Sequence, residues 1–270
     1  MKILVYTKYE RIGASSRLRT YQYLDKISNC QFVIKPLFSE TYIKNLYSSR
    51  RFLKNLKLFF MIKNLNIIIK YYLKRYLSLN SVKNYDGIII EKELFPFLSN
   101  LFYHKLYLSK KPYILDFDDA IFLKYKEKSS TKNKIIRLVK NSSLCTAGNS
   151  FLAKKLINFG GKNVQIFPTV VDIIKYKPKA NNDIVTIGWI GTNSTIFYLN
   201  KIIHIINKLS EHKKFKLITI GAKVNEKLIG KSLNYSFYEW SEDSEVDLLN
   251  KINIGIMPLC NSEWEKGKCS

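Results

Sequence analysis

The chain has 270 residues, 46% of them hydrophobic, and sets 45 lysines and arginines against 21 acids for a formal charge of +24. That length suits one large or two ordinary domains, and the apolar share supports a real core, so the excess charge belongs to a folded body. It favours polyanions, anionic lipid or phosphorylated small molecules without choosing among them, and heavy use of Lys, Asn, Ile and Tyr makes part of it compositional.

Lys2–Thr7 reads as a first buried strand, and Ile3–Tyr6 is too short for the apolar core of a secretory leader. After the loop Lys8–Ala14, Ser15 and Ser16 are the expected N-caps of a helix running to about Ile27, with Leu18, Tyr21, Leu24 and Ile27 as its apolar stripe. Gly13 stands at the strand-to-helix turn, where backbone N–H groups of Gly13 and Ala14 suit an anion. Arg17 can clamp a phosphate or carboxylate in bidentate fashion. No G-x-G-x-x-G is present, so this is not a dinucleotide fingerprint.

Gln31–Phe38 is the second strand, and Tyr85–Glu91, Tyr113–Asp116, Ser143–Ala147 and Val164–Phe167 follow, most of them parted by helical segments. Strands alternating with helices predict a parallel, doubly wound sheet. An insertion at about 42–79 stands apart. Between Glu40 and Asp86 there is no acid, while ten basic residues, among them Lys57, Lys63, Lys70, Lys74 and Arg75, are interleaved with Phe59, Phe60, Ile67, Ile68, Tyr71 and Tyr72. The lysines forbid a spanning helix. Two readings fit: a basic amphipathic helix lying on an anionic bilayer, or an ordinary helix pair that packs its apolar face on the sheet.

The stretch from Ile114 to Phe122 organises the rest. A short apolar strand ends in Asp116, Asp118 and Asp119. Ionised carboxylates are too costly to bury unpaired, so they belong where the strand leaves the core, the end at which open α/β sheets bind ligands. Any one of them can instead cap a helix or pair with a lysine.

Past Pro168 and Pro178 the pattern restarts. The polar run Lys177–Asp183 marks a connection, Ile184–Ile190 is a new strand, and Gly191-Thr192-Asn193-Ser194 leads into the helix Thr195–Leu209. Gly191 admits a diphosphate to that helix, with Ser194 and Thr195 as hydroxyl donors. Phe215–Ile220, Ser236–Trp240 and Ile254–Leu259 are further strands, with a helix at about Glu245–Ile252. The expected division is an N-terminal Rossmann-like domain at 1–168, a linker at 169–182 and a partial second one at 183–270. Cys30, Cys145, Cys260 and Cys269 form no C-x-x-C pair, which suits a reducing compartment. His104, His204 and His212 show no metal-ligand spacing and read as structural.

The segments "GASSRLRTYQYL", "DFDDAIF", "AGNSFLAKKL", the turn Pro168–Asp172, "IGWIGTNST" and "IGIMPLCNSEWEKGKCS" together resemble, in that order, bacterial GT-B glycosyltransferases of the family 4 kind. The resemblance implies two Rossmann-like lobes, an acceptor held by the first and a nucleotide-sugar by the second. It also implies transfer with retention, no metal and no cofactor beyond the donor itself. Gly13 and Ala14 would approach the donor phosphates or the sugar, with Arg17 and Arg19 nearby, and Asp118 or Asp119 would stand at the reacting hydroxyl or anomeric centre. Gly191, Thr192 and Asn193 would line the diphosphate, Glu239 and Trp240 the base, and Lys268 would neutralise the leaving diphosphate.

Two departures matter: Thr192-Asn193-Ser194 stands where many relatives have Arg and Lys, and the second unit halts after four strands, as in a chain cut short. The expected role is hexosyl or related transfer to a surface polysaccharide or glycolipid. It would act at the cytoplasmic side of the membrane, peripherally attached, with no nucleic-acid partner. The alternatives are a GT-A-like metal site at the D-x-D of Asp116 and Asp118, a non-catalytic binder of anionic membrane or nucleic acid, and a redox Rossmann enzyme.

Overall fold

The computed structural model describes residues 1–24, 26–43, 57–179 and 184–268. The chain forms two compact units, Met1–Val170 joined by the tail from Lys266, and Val171–Glu265. The tail therefore belongs with the first unit, where the sequence reading assigned it to the second. Residues 180–182 of the expected linker and 44–56 of the expected insertion lie outside the described residues, as does Cys269; Cys30, Cys145 and Cys260 are free thiols.

The first unit is a six-stranded parallel sheet of β1 (Lys2–Tyr9), β2 (Gln31–Phe38), β3 (Gly87–Glu91), β4 (Tyr113–Phe117), β5 (Leu144–Ala147) and β6 (Val164–Ile166), in the order β2-β1-β3-β4-β5-β6. Leu4, Val5, Tyr6, Ile88, Ile90, Leu115 and Phe117 are buried in its central strands, which is why those strands read as near-continuous apolar runs rather than alternating ones. From β1 the chain goes first to β2 on one side and then to β3 on the other. That reversal opens a crevice at the carboxyl ends of β1 and β3.

Local chemistry sets the helix starts. Ser129 accepts from the Lys132 amide at the head of Ser130–Asn141, and Asn149 accepts from the Leu152 amide at the head of Ser150–Asn158. The first helix departs from expectation. Its N-cap is Gly13, without a side-chain cap, and Arg17–Tyr21 is wound as a π turn between Ala14–Ser16 and Gln22–Leu24. Ser16 does not cap because its hydroxyl is buried and donates to Glu91 instead. Gly13 is required by packing: a Cβ there would lie 2.6 Å from Tyr9 Cβ. Gly13→Ala should cost about 1–3 kcal/mol, read as a lower Tm in a thermal melt; an unchanged Tm would mean that the turn yields freely.

The helix Lys57–Ser78 packs one side on the sheet. Arg75, one of the basic residues of the insertion, is buried. Its guanidinium donates to the Thr7 carbonyl at 2.7 Å and the Lys35 carbonyl at 2.9 Å and lies 4.9 Å from the Tyr6 ring. Tyr71 shares a hydrogen bond with Ser39 at 2.6 Å, and the Tyr72 hydroxyl donates to the Pro96 carbonyl. Among the described residues no helix is long and apolar enough to cross a membrane.

The second unit is a parallel sheet of β7 (Thr186–Ile190), β8 (Lys216–Ile220), β9 (Asn234–Tyr238) and β10 (Ile254–Gly255), in the order β10-β7-β8-β9. The helix Ile196–His212 lays Leu199, Ile203 and Ile206 on a core with Trp189, Phe215, Leu217 and Ala222. Here the strand order reverses between β7 and β10, so the corresponding crevice lies at their carboxyl ends.

Candidate functional site

β4 leaves the core as Asp116-Phe117-Asp118-Asp119, and the three carboxylates part company there. Asp116 takes the fork of Arg19, which donates through Nε at 3.0 Å and through Nη2, and Thr146 adds a hydroxyl donor at 2.5 Å. Arg19 also donates to the Phe167 carbonyl. Asp118 pairs with Lys92 at 2.6 Å, and Asp119 lies 3.4 Å from Lys92 and 3.7 Å from Lys268.

Lys92 is the hub of this cluster, and the sequence reading missed it. It follows β3 with φ 60°, a left-handed conformation that costs a non-glycine residue about 1 kcal/mol or more. Its amide donates to the Asp116 carbonyl at 2.9 Å, and its ammonium also reaches Ser15 Oγ at 3.2 Å and Glu91 Oε1 at 3.9 Å. Glu91 is held in turn by Ser16 Oγ at 2.6 Å and the Lys8 amide at 2.9 Å. The carboxyl ends of β1, β3 and β4 are thus tied at the first crevice, with three carboxylates around one buried ammonium. The only sequence signal was a strand that ends in Glu91-Lys92-Glu93.

The electrostatics follow from burial and partners. Burial works against the Lys92 charge, yet Asp118, Glu91 and Asp119 outweigh it and raise the ammonium above its ordinary range. Burial likewise opposes the Asp118 charge, and Lys92 overrides it to hold that carboxyl low. At Glu91 burial wins over Lys92, and the carboxyl is raised. Asp119 is the accessible member, its side chain 27% exposed against 11% for Asp118 and 12% for Asp116. It is the carboxylate left open to solvent, while Asp118 holds the lysine at the shorter distance.

Lys268 reaches Asp119 because the tail is pinned. The Asn149 amide donates to the carbonyls of Lys266 at 3.1 Å and Lys268 at 2.9 Å, while its oxygen caps the helix that follows β5. Of the remaining first-unit candidates, Ala14 is exposed beside the cluster through Ser15. Arg17 is only 4% exposed and donates to the Arg11 carbonyl at 3.3 Å, so it faces inward rather than standing as a surface clamp. The cavity beneath Lys92, lined by Lys8, Glu91, Lys124 and Tyr125, is about 30 Å³ and has room for water but not for a sugar. The D-x-D metal reading finds both of its carboxylates already holding cations, Arg19 on Asp116 and Lys92 on Asp118.

In the second unit Gly191, Thr192 and Asn193 follow β7 directly at the crevice with β10. A Cβ on Gly191 would meet the Trp189 ring at 2.6 Å, so packing alone demands glycine there. The hydroxyls expected to face a ligand bond within the loop: Thr195 Oγ1 accepts from the Thr192 amide at 3.0 Å, and Thr192 shares a hydrogen bond with Ser194 at 2.7 Å. The loop opens a helix of 17 residues, whose positive end favours an anion. Lys201, the first basic residue of that helix, lies 3.0 Å from Cys260 beyond β10. A cavity of about 300 Å³, lined by Gly188, Ile190, Leu249, Ile252, Gly255, Ile256 and Met257, adjoins the same strands. Glu239 and Trp240 sit past the end of β9, two strands from β7, with Glu239 exposed and Trp240 half-buried.

No protein-family model and no curated protein matches the sequence. Solved structures do match. HepE of Anabaena in complex with UDP-glucose aligns over 94% of this chain and 73% of its own, with TM-score 0.61 and 12% identity. The E. coli trehalose-6-phosphate structure bound with UDP-2-fluoro glucose aligns over 99% and 82%, with TM-score 0.58 and 10% identity. The apo form of the lipopolysaccharide outer core galactosyltransferase WaaB aligns over 94% and 73%, with TM-score 0.51 and 13% identity. The chain has the GT-B fold, two Rossmann-like units with parallel sheets. At such identities the likeness speaks for the fold, and the site stands on its own geometry.

Proposed function

We propose that the protein is a glycosyltransferase that moves a sugar, a hexose or a close relative, from a nucleoside-diphosphate donor to a polysaccharide or glycolipid acceptor, with retention. The observation that carries the reading is the Lys92-anchored pair Asp118 and Asp119 at the carboxyl ends of β3 and β4, with Lys268 beside it. Asp119 orients or deprotonates the acceptor hydroxyl. Lys268 offsets charge on the departing diphosphate. Gly13 and Ala14 approach the donor from the first unit, with Arg17 supporting the turn. In the second unit the helix start at Gly191–Asn193 takes the diphosphate, and Glu239 and Trp240 meet the base. UDP-glucose in the HepE structure and UDP-2-fluoro glucose in the E. coli one support a UDP-sugar as donor.

The test is donor hydrolysis and thermal shift across UDP-, GDP- and ADP-sugars, followed by Asp119→Asn. That substitution should lower turnover about 10²-fold with little change in Tm, since Asp119 is the least buried of the three acids. Unchanged turnover in Asp119→Asn would remove the catalytic assignment, and turnover abolished by EDTA would favour the metal-dependent alternative. The anomeric configuration of the product, read by NMR, decides retention.

A further inference from the structure

The helix Lys57–Ser78 carries more apolar surface than its seat on the sheet uses. Tyr71, Tyr72 and Arg75 turn inward, whereas Leu65, Ile69, Leu73 and Leu77 keep 53–54% of their surface exposed. Spaced four apart, they form a row that winds slowly across the outward side, starting on the flank that Tyr72 and Tyr76 occupy. On that flank the Tyr76 ring lies 6.3 Å from Phe102, and the Tyr72 hydroxyl holds the Pro96 carbonyl. The neighbouring segment exposes Phe97 at 68%, Leu101 at 81% and Leu108 at 76%. Two adjoining elements therefore present large apolar side chains to solvent, which a soluble surface rarely does without a partner.

The charge around this patch selects the partner. Neither Thr41–Tyr85 nor Leu94–Leu115 contains an acid. Lys70 and Lys74 flank the helical row, Lys105 lies 4.1 Å over the Tyr76 ring, and Lys110 and Lys111 close the neighbouring segment. A second copy of the chain would bring the same positive rim and be repelled. Nucleic acid would use the lysines but has no need of a leucine row. Apolar side chains framed by lysines and free of acids match the boundary of an anionic bilayer, where the chains enter the acyl region and the ammonium groups meet headgroup phosphates.

We propose that this surface docks the first unit on an anionic lipid bilayer, with Leu65, Ile69, Leu73, Phe97 and Leu101 as the inserted residues. The proposal does not depend on the transferase reading. The test is flotation of the full chain with vesicles of equimolar phosphatidylglycerol and phosphatidylcholine, against phosphatidylcholine alone. The chain should partition about tenfold or more in favour of the anionic vesicles. The double variant I69S/L73S should reduce binding about tenfold at both physiological and high salt. K70E/K74E should reduce it mainly at physiological salt, since screening already removes that contribution at high salt. F97S/L101S, on the other element, repeats the test should I69S/L73S lower the Tm. Equal binding to both vesicle types, or wild-type binding by both apolar double variants, would overturn the proposal. So would a dimer that I69S/L73S converts to a monomer while vesicle binding stays unchanged, or capture of nucleic acid with no affinity for lipid.

Discussion

Lys92→Met should lower the stability of the first unit by about 3–5 kcal/mol at neutral pH, and the loss should shrink on mild acidification. The substitution keeps an unbranched apolar stem one atom shorter and removes the one ammonium shared by Asp118 at 2.6 Å, Asp119 at 3.4 Å and Glu91 at 3.9 Å. In the wild type the depressed Asp118 contributes stability that is present above its unfolded value near 4 and is lost as pH falls through the lower folded one. The raised Lys92 contributes stability that is complete below its unfolded value near 10 and fades only as pH climbs past the folded one. Glu91 is raised and has the reverse sign, losing stability as pH rises through its folded value. Without Lys92, burial is the largest influence left on Glu91 and Asp118, opposed by the hydrogen bonds of Ser16 and the Lys8 amide on the one and by Ser15 and Arg19 on the other. Both carboxyls should therefore rise, and the folded state should bind more protons than the unfolded one. The variant should therefore gain stability on mild acidification. Hydrogen exchange at amides of β1, β3 and β4 reads the first unit directly. The three tryptophans, Trp189, Trp240 and Trp264, all lie in the second unit, so their fluorescence serves as an internal control. Protection in the variant within about 1 kcal/mol of wild type, or lost on acidification, would show that Lys92 does not anchor these acids.

The strands were legible because parallel sheets bury both faces, leaving continuous apolar runs such as Ile3–Tyr6 and Gly87–Ile90 that need no partner to be recognised. The acid run of β4 was legible as a strand end because ionised carboxylates are too costly to bury unpaired, and the structure buries Asp116 and Asp118 only against Arg19 and Lys92. What sequence could not assign is the division of labour among those acids, because it depends on cations elsewhere in the chain, Arg19 on the turn after β1 and Lys92 on the end of β3. The tail eluded sequence reading likewise, since its carbonyls are claimed by Asn149, 117 and 119 residues away. Residue type is a poor guide in two places. Ser15 and Ser16 look like caps, but the buried Glu91 claims the Ser16 hydroxyl. Arginine is a type usually solvated, but the Thr7 and Lys35 carbonyls reward the burial of Arg75. In each case local preference gave way to a buried polar group that needed a partner.

Asp116→Ala should cost about 3–5 kcal/mol as well, but through the loop rather than the hub. Arg19 and Asp116 are 5% and 12% exposed, and the guanidinium that Asp116 neutralises also donates to the carbonyl of Phe167 just past β6. Removing the carboxylate takes the bidentate counter-charge from a buried cation that still donates to that carbonyl. Because Arg19 belongs to the π turn Arg17–Tyr21, losing Asp116 unfastens the segment that begins at Gly13 and Ala14 from the carboxyl ends of β4 and β6. Exchange should therefore accelerate in Ala14–Leu24 before it does in β3. Asp116→Asn retains one acceptor for the fork and the Thr146 hydroxyl and should lose less. Arg19→Met combined with Asp116→Leu removes both charges together and should recover much of the loss, because an apolar pair leaves no buried charge unpaired. A double variant as unstable as Asp116→Ala alone would mean that Asp116 acts through Thr146 and the strand end rather than through Arg19. If the turn stays protected in Asp116→Ala, the first loop is held by Ser15 and Ser16 on the Lys92 cluster, and the two fastenings are independent.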